Sequence, residues 1–318
     1  MSLVFDANTH PITWPVLRQF RLEQERRAAR VPSNFLNTAD GNQVYESLFH
    51  QEPEGLADLL VSEMDDCGID RAVIMPTVFH CPNQLIAEMV SAHPKRLVGF
   101  GRWEWPARGR KGARQVRAAI RDLGLQGIGE IAFSEFYPTP PLEIHRLPEF
   151  RLMMDEVAAL GVPIVFDSGY AATPRPHGYY DPLIIDTVAC DYPEVPMILF
   201  HSGKTDPTFF ESARITARRH HNVYLEVSYQ PSENIAALVS ELGADRILFG
   251  TDWFGPTWSE DQSESATPNG GPEGETSVLA RTLSRVRGAG LTKDQEEAVL
   301  GGNLLRLLGP GQGAAGEG

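Results

Sequence analysis

The chain has 318 residues, 42% of them hydrophobic, which is enough for a large core without disulfides. With 28 basic against 42 acidic residues the net charge is −14, which argues against nucleic acid or an anionic membrane surface as the main partner. Cys67, Cys81 and Cys190 form no CxxC pair, so they predict a reducing compartment and no structural thiolate–metal site.

In chain order, strand-like apolar runs alternate with amphipathic stretches. The predicted strands are Leu3–Phe5, Arg71–Met75, Leu97–Phe100, Gly127–Ile131, Pro163–Phe166, Met197–Phe200, Val223–Val227 and Arg246–Phe249. Between them the helical period predicts helices such as Gly55–Cys67, Asn83–His93, Ala113–Leu123, Phe150–Leu160, Pro182–Cys190, Thr208–His220 and Ser232–Leu242. Strand and helix in regular alternation imply a parallel sheet, and eight such units favour closure into a (β/α)8 TIM barrel. Residues 11–54 read as an insertion after the first strand that caps the barrel mouth. Residues 255–276 read as a mobile loop after the eighth strand, and residues 309–318 as a disordered tail. The remaining span, 1–308, reads as one domain. No apolar run approaches the roughly 18 residues needed to span a bilayer. The N-terminus enters a strand with no signal-peptide pattern, so a cytoplasmic protein is expected, and a homodimer is the default assembly.

The polar residues at the strand ends carry the chemistry. Strand one runs into Asn8 and His10, and strand four carries Glu130 in an apolar run. Strand five ends in Asp167, strand six in His201 and Lys204, and strand eight in Asp252; strand seven contains Glu226. In a parallel barrel, strand carboxyl ends form the catalytic face. Histidines and carboxylates converging there suit a divalent cation, acid–base catalysis, or both. After strand three, Arg102 and Trp103 could hold a substrate carboxylate against an apolar wall, or Arg102 could pair with Glu104 beside core aromatics. Lys204 could meet an anion or stay solvated, and His177 belongs to a loop that could line the pocket. His80 reads as a packed or surface histidine. Glu226 reads as a satisfied structural carboxylate. The pair His220-His221 ends a helix beside Arg218 and Arg219, where cations complement the helix dipole, and is not read as a site.

Several motifs resemble the amidohydrolase superfamily, in the branch that includes aminocarboxymuconate-semialdehyde decarboxylase-like enzymes. They are Asp6-x-Asn8-x-His10, Asp66-x-Gly68-Ile69-Asp70-Arg71-Ala72, His93-Pro94-x-Arg96, His201-x-Gly203, Arg246-Ile247-Leu248-Phe249-Gly250-Thr251-Asp252 and the tail Leu300–Gly309. The resemblance spans residues 6 to 309 and implies a distorted (β/α)8 barrel. It implies metal ligation by the strand-one pair, by the strand-five position and by Asp252, which would also handle the proton. It gives His201 a role in binding metal or polarising the substrate. The strand-one pair is usually His-x-His and is here Asn8-x-His10; the strand-five histidine is here Asp167.

The expected cofactor is one divalent metal ion, zinc or manganese, held by His10, Asp167, Asp252, Asn8 and Glu130; the alternative is a metal-free barrel working through His201 and Asp252. The expected partner is a small-molecule substrate. The leading expectation is a hydrolase of an amide, lactone or related cyclic ester. Its rivals are a non-oxidative decarboxylase of an aromatic or unsaturated acid and a non-catalytic ligand-binding barrel.

Overall fold

The computed structural model describes residues 2–11, 53–76, 81–103, 107–169, 176–254 and 277–309. Eight strands follow in chain order: β1 (Phe5–Thr9), β2 (Arg71–Ile74), β3 (Leu97–Gly99), β4 (Ile128–Ile131), β5 (Ile164–Phe166), β6 (Met197–Leu199), β7 (Val223–Glu226) and β8 (Ile247–Leu248). Helices alternate with them: α1 (Pro53–Cys67), α2 (Asn83–Ala92), α3 (Gly109–Arg121), α4 (Pro148–Leu160), α5 (Leu183–Asp191), α6 (Pro207–Arg219), α7 (Ser232–Leu242) and α8 (Val278–Arg287). The chain then forms α9 (Lys293–Glu297), a π-helical turn (Ala298–Gly302) and α10 (Asn303–Leu308).

All pairings are parallel, in one ladder of β1–β2–β3 and a second of β4 to β8. Two seams join the ladders. Gly101 bridges to Ile128, and Thr9 bridges to Trp253. At the second seam Ala7 N–H donates to Phe249 O and Asp252 N–H donates to Asn8 O, both at 2.9 Å. β1 thus lies against β8, and the ring is the expected distorted (β/α)8 barrel.

Side chains alternate across the barrel wall, as the strand period requires. Phe5, Val73, Val98, Val165, Ile198 and Leu248 pack together in the interior. Their neighbours Ala72, Ile74, Leu97, Ile164, Met197 and Ile247 belong to the layer shared with the helices. Burial on both faces is why these strands read as continuous apolar runs. Leu304 of α10 joins the inner cluster, and Asn303 Nδ2 donates to the carbonyls of Ala244 and Ile247, so the last helix packs onto the barrel.

β1 differs from expectation. The apolar run predicts Leu3–Phe5, whereas the strand is Phe5–Thr9. Its polar residues Asp6 and Thr9 stay in the strand because partners on β2 and just past β8, its two neighbours, meet them. Asp6 accepts from Thr251, and Thr9 Oγ1 donates to Val73 O at 2.7 Å. Helix signals act as expected: Gly161 ends α4 at φ 66°, and Asp206 caps α6 by accepting from the backbone of Thr208 and Phe209. The expected cap (11–54), apart from its ends, the loop (255–276) and most of the tail lie outside the described residues, as do His80 and Glu104. Among the described residues no helix is long and apolar enough to cross a membrane.

Candidate active site

The carboxyl ends of β4, β5 and β6 bring three polar side chains together. Donor atoms of Glu130, Asp167 and His201 all lie within 4.8 Å of one another. His201 Nε2 is 3.7 Å from Glu130 Oε1 and 3.6 Å from Asp167 Oδ1. The other ring nitrogen fixes this orientation. His201 Nδ1 lies 2.8 Å from Ser228 Oγ, and Ser228 Oγ donates to Glu226 Oε2 at 2.8 Å. Since the serine proton is committed to Glu226, Nδ1 is the donor to Ser228 and Nε2 faces the carboxylates.

Glu226 is fully buried and holds this corner together. It accepts from the backbone N–H of His201 and of Ser228, from the Ser228 hydroxyl, and from Asn8 Nδ2 at a long 3.4 Å. The reading of Glu226 as a satisfied structural carboxylate holds, with the Ser228–His201 pair as what it satisfies. Gly250 is small for the same reason: a Cβ there would stand 2.5 Å from Glu226 Oε1 and 2.9 Å from Asn8 Cβ.

β1 and β8 supply the second half of the site. His10 is buried, and its Nδ1 faces Met75 O at 3.2 Å. A carbonyl only accepts, so Nδ1 carries a proton and Nε2 points inward. His10 Nε2 is 3.4 Å from Asp252 Oδ1, a charge contact too poorly aligned to count as a hydrogen bond. Asp252 Oδ2 accepts from the Tyr229 hydroxyl at 2.6 Å. Tyr229 also stacks edge-on against His201, with ring centroids 5.3 Å apart. Lys204 lies with Nζ 5.2 Å from the centre of the Tyr229 ring. Two buried side-chain atoms in this half have no hydrogen-bond partner among the described residues, Asn8 Oδ1 and His10 Nε2. Buried polar atoms are normally paired, so these two are candidate donor atoms for a bound group.

Charge is unevenly held. Burial alone would lower the pKa of His201, but Asp252, Glu130 and Glu226 outweigh it and push the imidazole up to about 9. Burial raises Asp167 to about 6, helped by Glu130 and opposed by Lys204 and His201. Asp252 moves the other way: burial would raise it, but His201, His10 and Lys204 together hold it well below the usual carboxylate range. The site thus contains a protonated imidazole beside an ionised carboxylate at neutral pH.

The backbone is bent at these positions. His201, Ser202, Lys204, Tyr229 and Asp252 all adopt positive φ, between 48° and 67°. Each non-glycine residue in that region costs roughly 1–2 kcal/mol. All five follow β6, β7 or β8 on the catalytic face, which is where stored strain clusters in enzymes.

The remaining predicted residues have other partners in the structure. Arg102 is 2% exposed and forms an ion pair with Glu135. Its partner is therefore Glu135, from the 3-10 turn after β4, and the local alternative Glu104 lies outside the described residues. Trp103 is buried in the core with its ring against Phe136. His177 stacks on Phe209 and has Nε2 3.7 Å from Asp206, half-exposed and joined to the start of α6. Ser228 and Tyr229 were not among the predicted site residues. The signal for them is positional, since they lie within three residues of the end of β7, as Asp252 lies within four of the end of β8.

Asp6, below the site, gives a pH test of the β1–β8 seam. Burial drives its carboxyl up to about 7, against the Thr251 hydroxyl and backbone N–H groups that favour the anion. Unfolded, the group titrates near 3.9, so between there and about 7 the folded state alone keeps the proton. Stability from this group is complete below the unfolded value and falls as pH rises through the folded one. Relative to Asp6→Asn, the wild type should lose about 2–3 kcal/mol between pH 5 and pH 8. Urea unfolding at the two pH values measures it, and a constant difference between the proteins would contradict the assignment.

Comparison with known proteins now places the chain. The amidohydrolase family model matches residues 6–309. The chain belongs to the amidohydrolase family. No curated protein matches it. Among solved structures it is similar to 2,6-dihydroxybenzoate decarboxylase from Rhizobium, at 16% identity and TM-score 0.59, covering 97% of this chain and 99% of that one. It is similar to a probable 2-pyrone-4,6-dicarboxylic acid hydrolase from Acinetobacter baumannii with citric acid bound, at 13% identity and TM-score 0.61, covering 96% and 98%. An amidohydrolase from Burkholderia multivorans with bound zinc aligns at 15% identity and TM-score 0.61, covering 96% and 99%. At these identities the likeness is one of fold, and it bears out the TIM barrel.

Proposed function

We propose that this amidohydrolase is a metal-assisted hydrolase of a small amide, lactone or related cyclic ester. The observation that carries the reading is the pair of orphaned buried atoms, Asn8 Oδ1 and His10 Nε2, beside the Glu130–Asp167–His201 cluster. Imidazole nitrogen with several carboxylate and amide oxygens is a donor set that fits zinc or manganese. His10, Asp167 and Asp252 would hold one divalent cation, with Asn8 and Glu130 as further oxygen donors. The zinc bound by the Burkholderia relative supports this choice. When bound, such an ion polarises a substrate carbonyl and makes water more acidic.

The chain's own residues do the rest. Asp252 is kept ionised and is oriented by the Tyr229 hydroxyl, so it can accept the proton that water gives up. His201, its ring fixed through Ser228, can polarise the carbonyl or stabilise the oxyanion that forms on it. The proton held by Asp252 then goes to the leaving alcohol or amine.

One observation favours a second reading, decarboxylation of an unsaturated or aromatic acid. Lys204 Nζ lies 5.2 Å from the centre of the Tyr229 ring, whose hydroxyl donates to Asp252, so this cation could meet a substrate carboxylate. His201 would then protonate the carbon that loses carbon dioxide. The two readings separate on a substrate panel, by carbon dioxide release against ring opening of lactones or cyclic amides. For the metal, mass spectrometry should show His10→Ala carrying about one equivalent less than the wild type. Equal metal content and equal turnover in the two proteins would remove the metal from the reading.

A further inference from the structure

We propose that Asp186, Cys190 and His220 form a zinc site on the outside of the barrel, between α5 and α6. Asp186 and Cys190 are four residues apart on α5, and so share one face of that helix. His220 is the C-terminal cap of α6, which packs against α5. One donor atom from each residue lies within 4.8 Å of the other two. His220 Nε2 and Asp186 Oδ1 share a hydrogen bond at 2.8 Å, so an ion would displace that proton to the other ring nitrogen and spread the pair to about 3.3 Å. Donors around zinc at bond lengths of about 2.0–2.3 Å stand closer together than that upper bound, so small side-chain rotations close the set.

The chemistry selects the ion. A thiolate, an imidazole and a carboxylate suit zinc, and a magnesium or calcium site would not use the sulfur. Asp186 is 26% exposed and His220 12%, and Cys190 is an exposed free thiol, so solvent can supply the fourth position. The nearby cations do not block it. Arg218 is held by Glu241 at 3.2 Å. Arg219 donates to Asp186 Oδ1 at 2.9 Å, but its side chain is 59% exposed, and such surface pairs contribute little. Binding takes the proton from Cys190 and releases it to solvent. The absence of a CxxC spacing hid this set, because its members come from two helices and meet only in the fold.

Cobalt(II) tests the site directly, because cobalt–thiolate bonds absorb strongly in the near ultraviolet. The catalytic cluster contains no thiol, so the signal is independent of the proposed catalytic metal. Chelator-treated protein titrated with cobalt chloride should develop the band, and zinc added first should suppress it. The band should persist in His10→Ala, disappear in Cys190→Ser, and need at least about tenfold more cobalt in His220→Ala. Both Cys190 and its serine replacement are exposed, so folding is not at stake in that variant. No band in the wild type at excess cobalt, or an undiminished band in Cys190→Ser, would overturn the proposal.

Discussion

Glu226→Ala is expected to destabilise the protein by about 3–5 kcal/mol, measured by urea unfolding. The carboxylate is fully buried and accepts from two backbone N–H groups and one hydroxyl at short range, with Asn8 Nδ2 further off. Alanine leaves those donors buried without an acceptor, at about 1–3 kcal/mol each. Part of that loss is offset, because burial raises the pKa of Glu226 and removing the group relieves its desolvation. Water entering the cavity offsets more, which is why the total is less than the sum. Against a typical stability of 5–15 kcal/mol, the effect would be plain. Glu226→Gln keeps one oxygen but turns an NH2 group toward donors, so it should cost about 1–2 kcal/mol. Both variants should also lose activity, since Glu226 holds the His201 backbone and, through Ser228, its ring. A change below about 0.5 kcal/mol in Glu226→Ala would show that these bonds do not hold the corner.

Asp252→Asn should lower kcat/KM by roughly 10²–10⁴-fold, and should also cost stability at neutral pH, because the anion that His201, His10 and Lys204 favour in the folded state is gone. The residue adopts φ 57°, a conformation that asparagine tolerates better than other non-glycine residues. Its side-chain oxygen can still accept from Tyr229, so the fold keeps the bond and loses only the charge. The loss of turnover reports the charge, in proton handling and in holding the metal, and the unfolding midpoint shows its part in stability. Asp252→Ala adds backbone strain of about 1 kcal/mol to the same defect, so the two variants separate charge from conformation. The activity is read on whichever lactone, amide or acid the wild type turns over, with the unfolding midpoint measured in parallel. Turnover within a few-fold of wild type in Asp252→Asn would take the proton-handling role from this residue.

Much of the molecule was legible before any coordinates. Strands buried on both faces leave continuous apolar runs, and eight of these with helices between them leave few architectures open. The strand-end rule brought Glu130, Asp167, His201 and Asp252 into view, and the structure groups the first three and sets Asp252 opposite His10. Legibility failed where a residue's partner is remote. Asp6 to Thr9 fall outside the predicted strand because Asp6, Asn8 and Thr9 break the apolar run, yet they belong to the strand because Thr251 and Val73 meet them from its two neighbours. Arg102 has an acid two residues away in sequence, but the fold gives it Glu135. Ser228 and Tyr229 are common residue types just past a strand, and only their contacts with His201 and Asp252 distinguish them.

The sequence by itself determined the barrel, the family and which strand ends are polar, because those follow from local hydrophobic pattern and motif. The tertiary structure alone decided how that polar set is wired. It set His10 Nε2 against Asp252, committed Glu226 to the His201 turn, and brought Cys190 to His220. The reason is that burial and pairing of polar atoms depend on distances across the barrel mouth and between helices. No spacing along the chain encodes them.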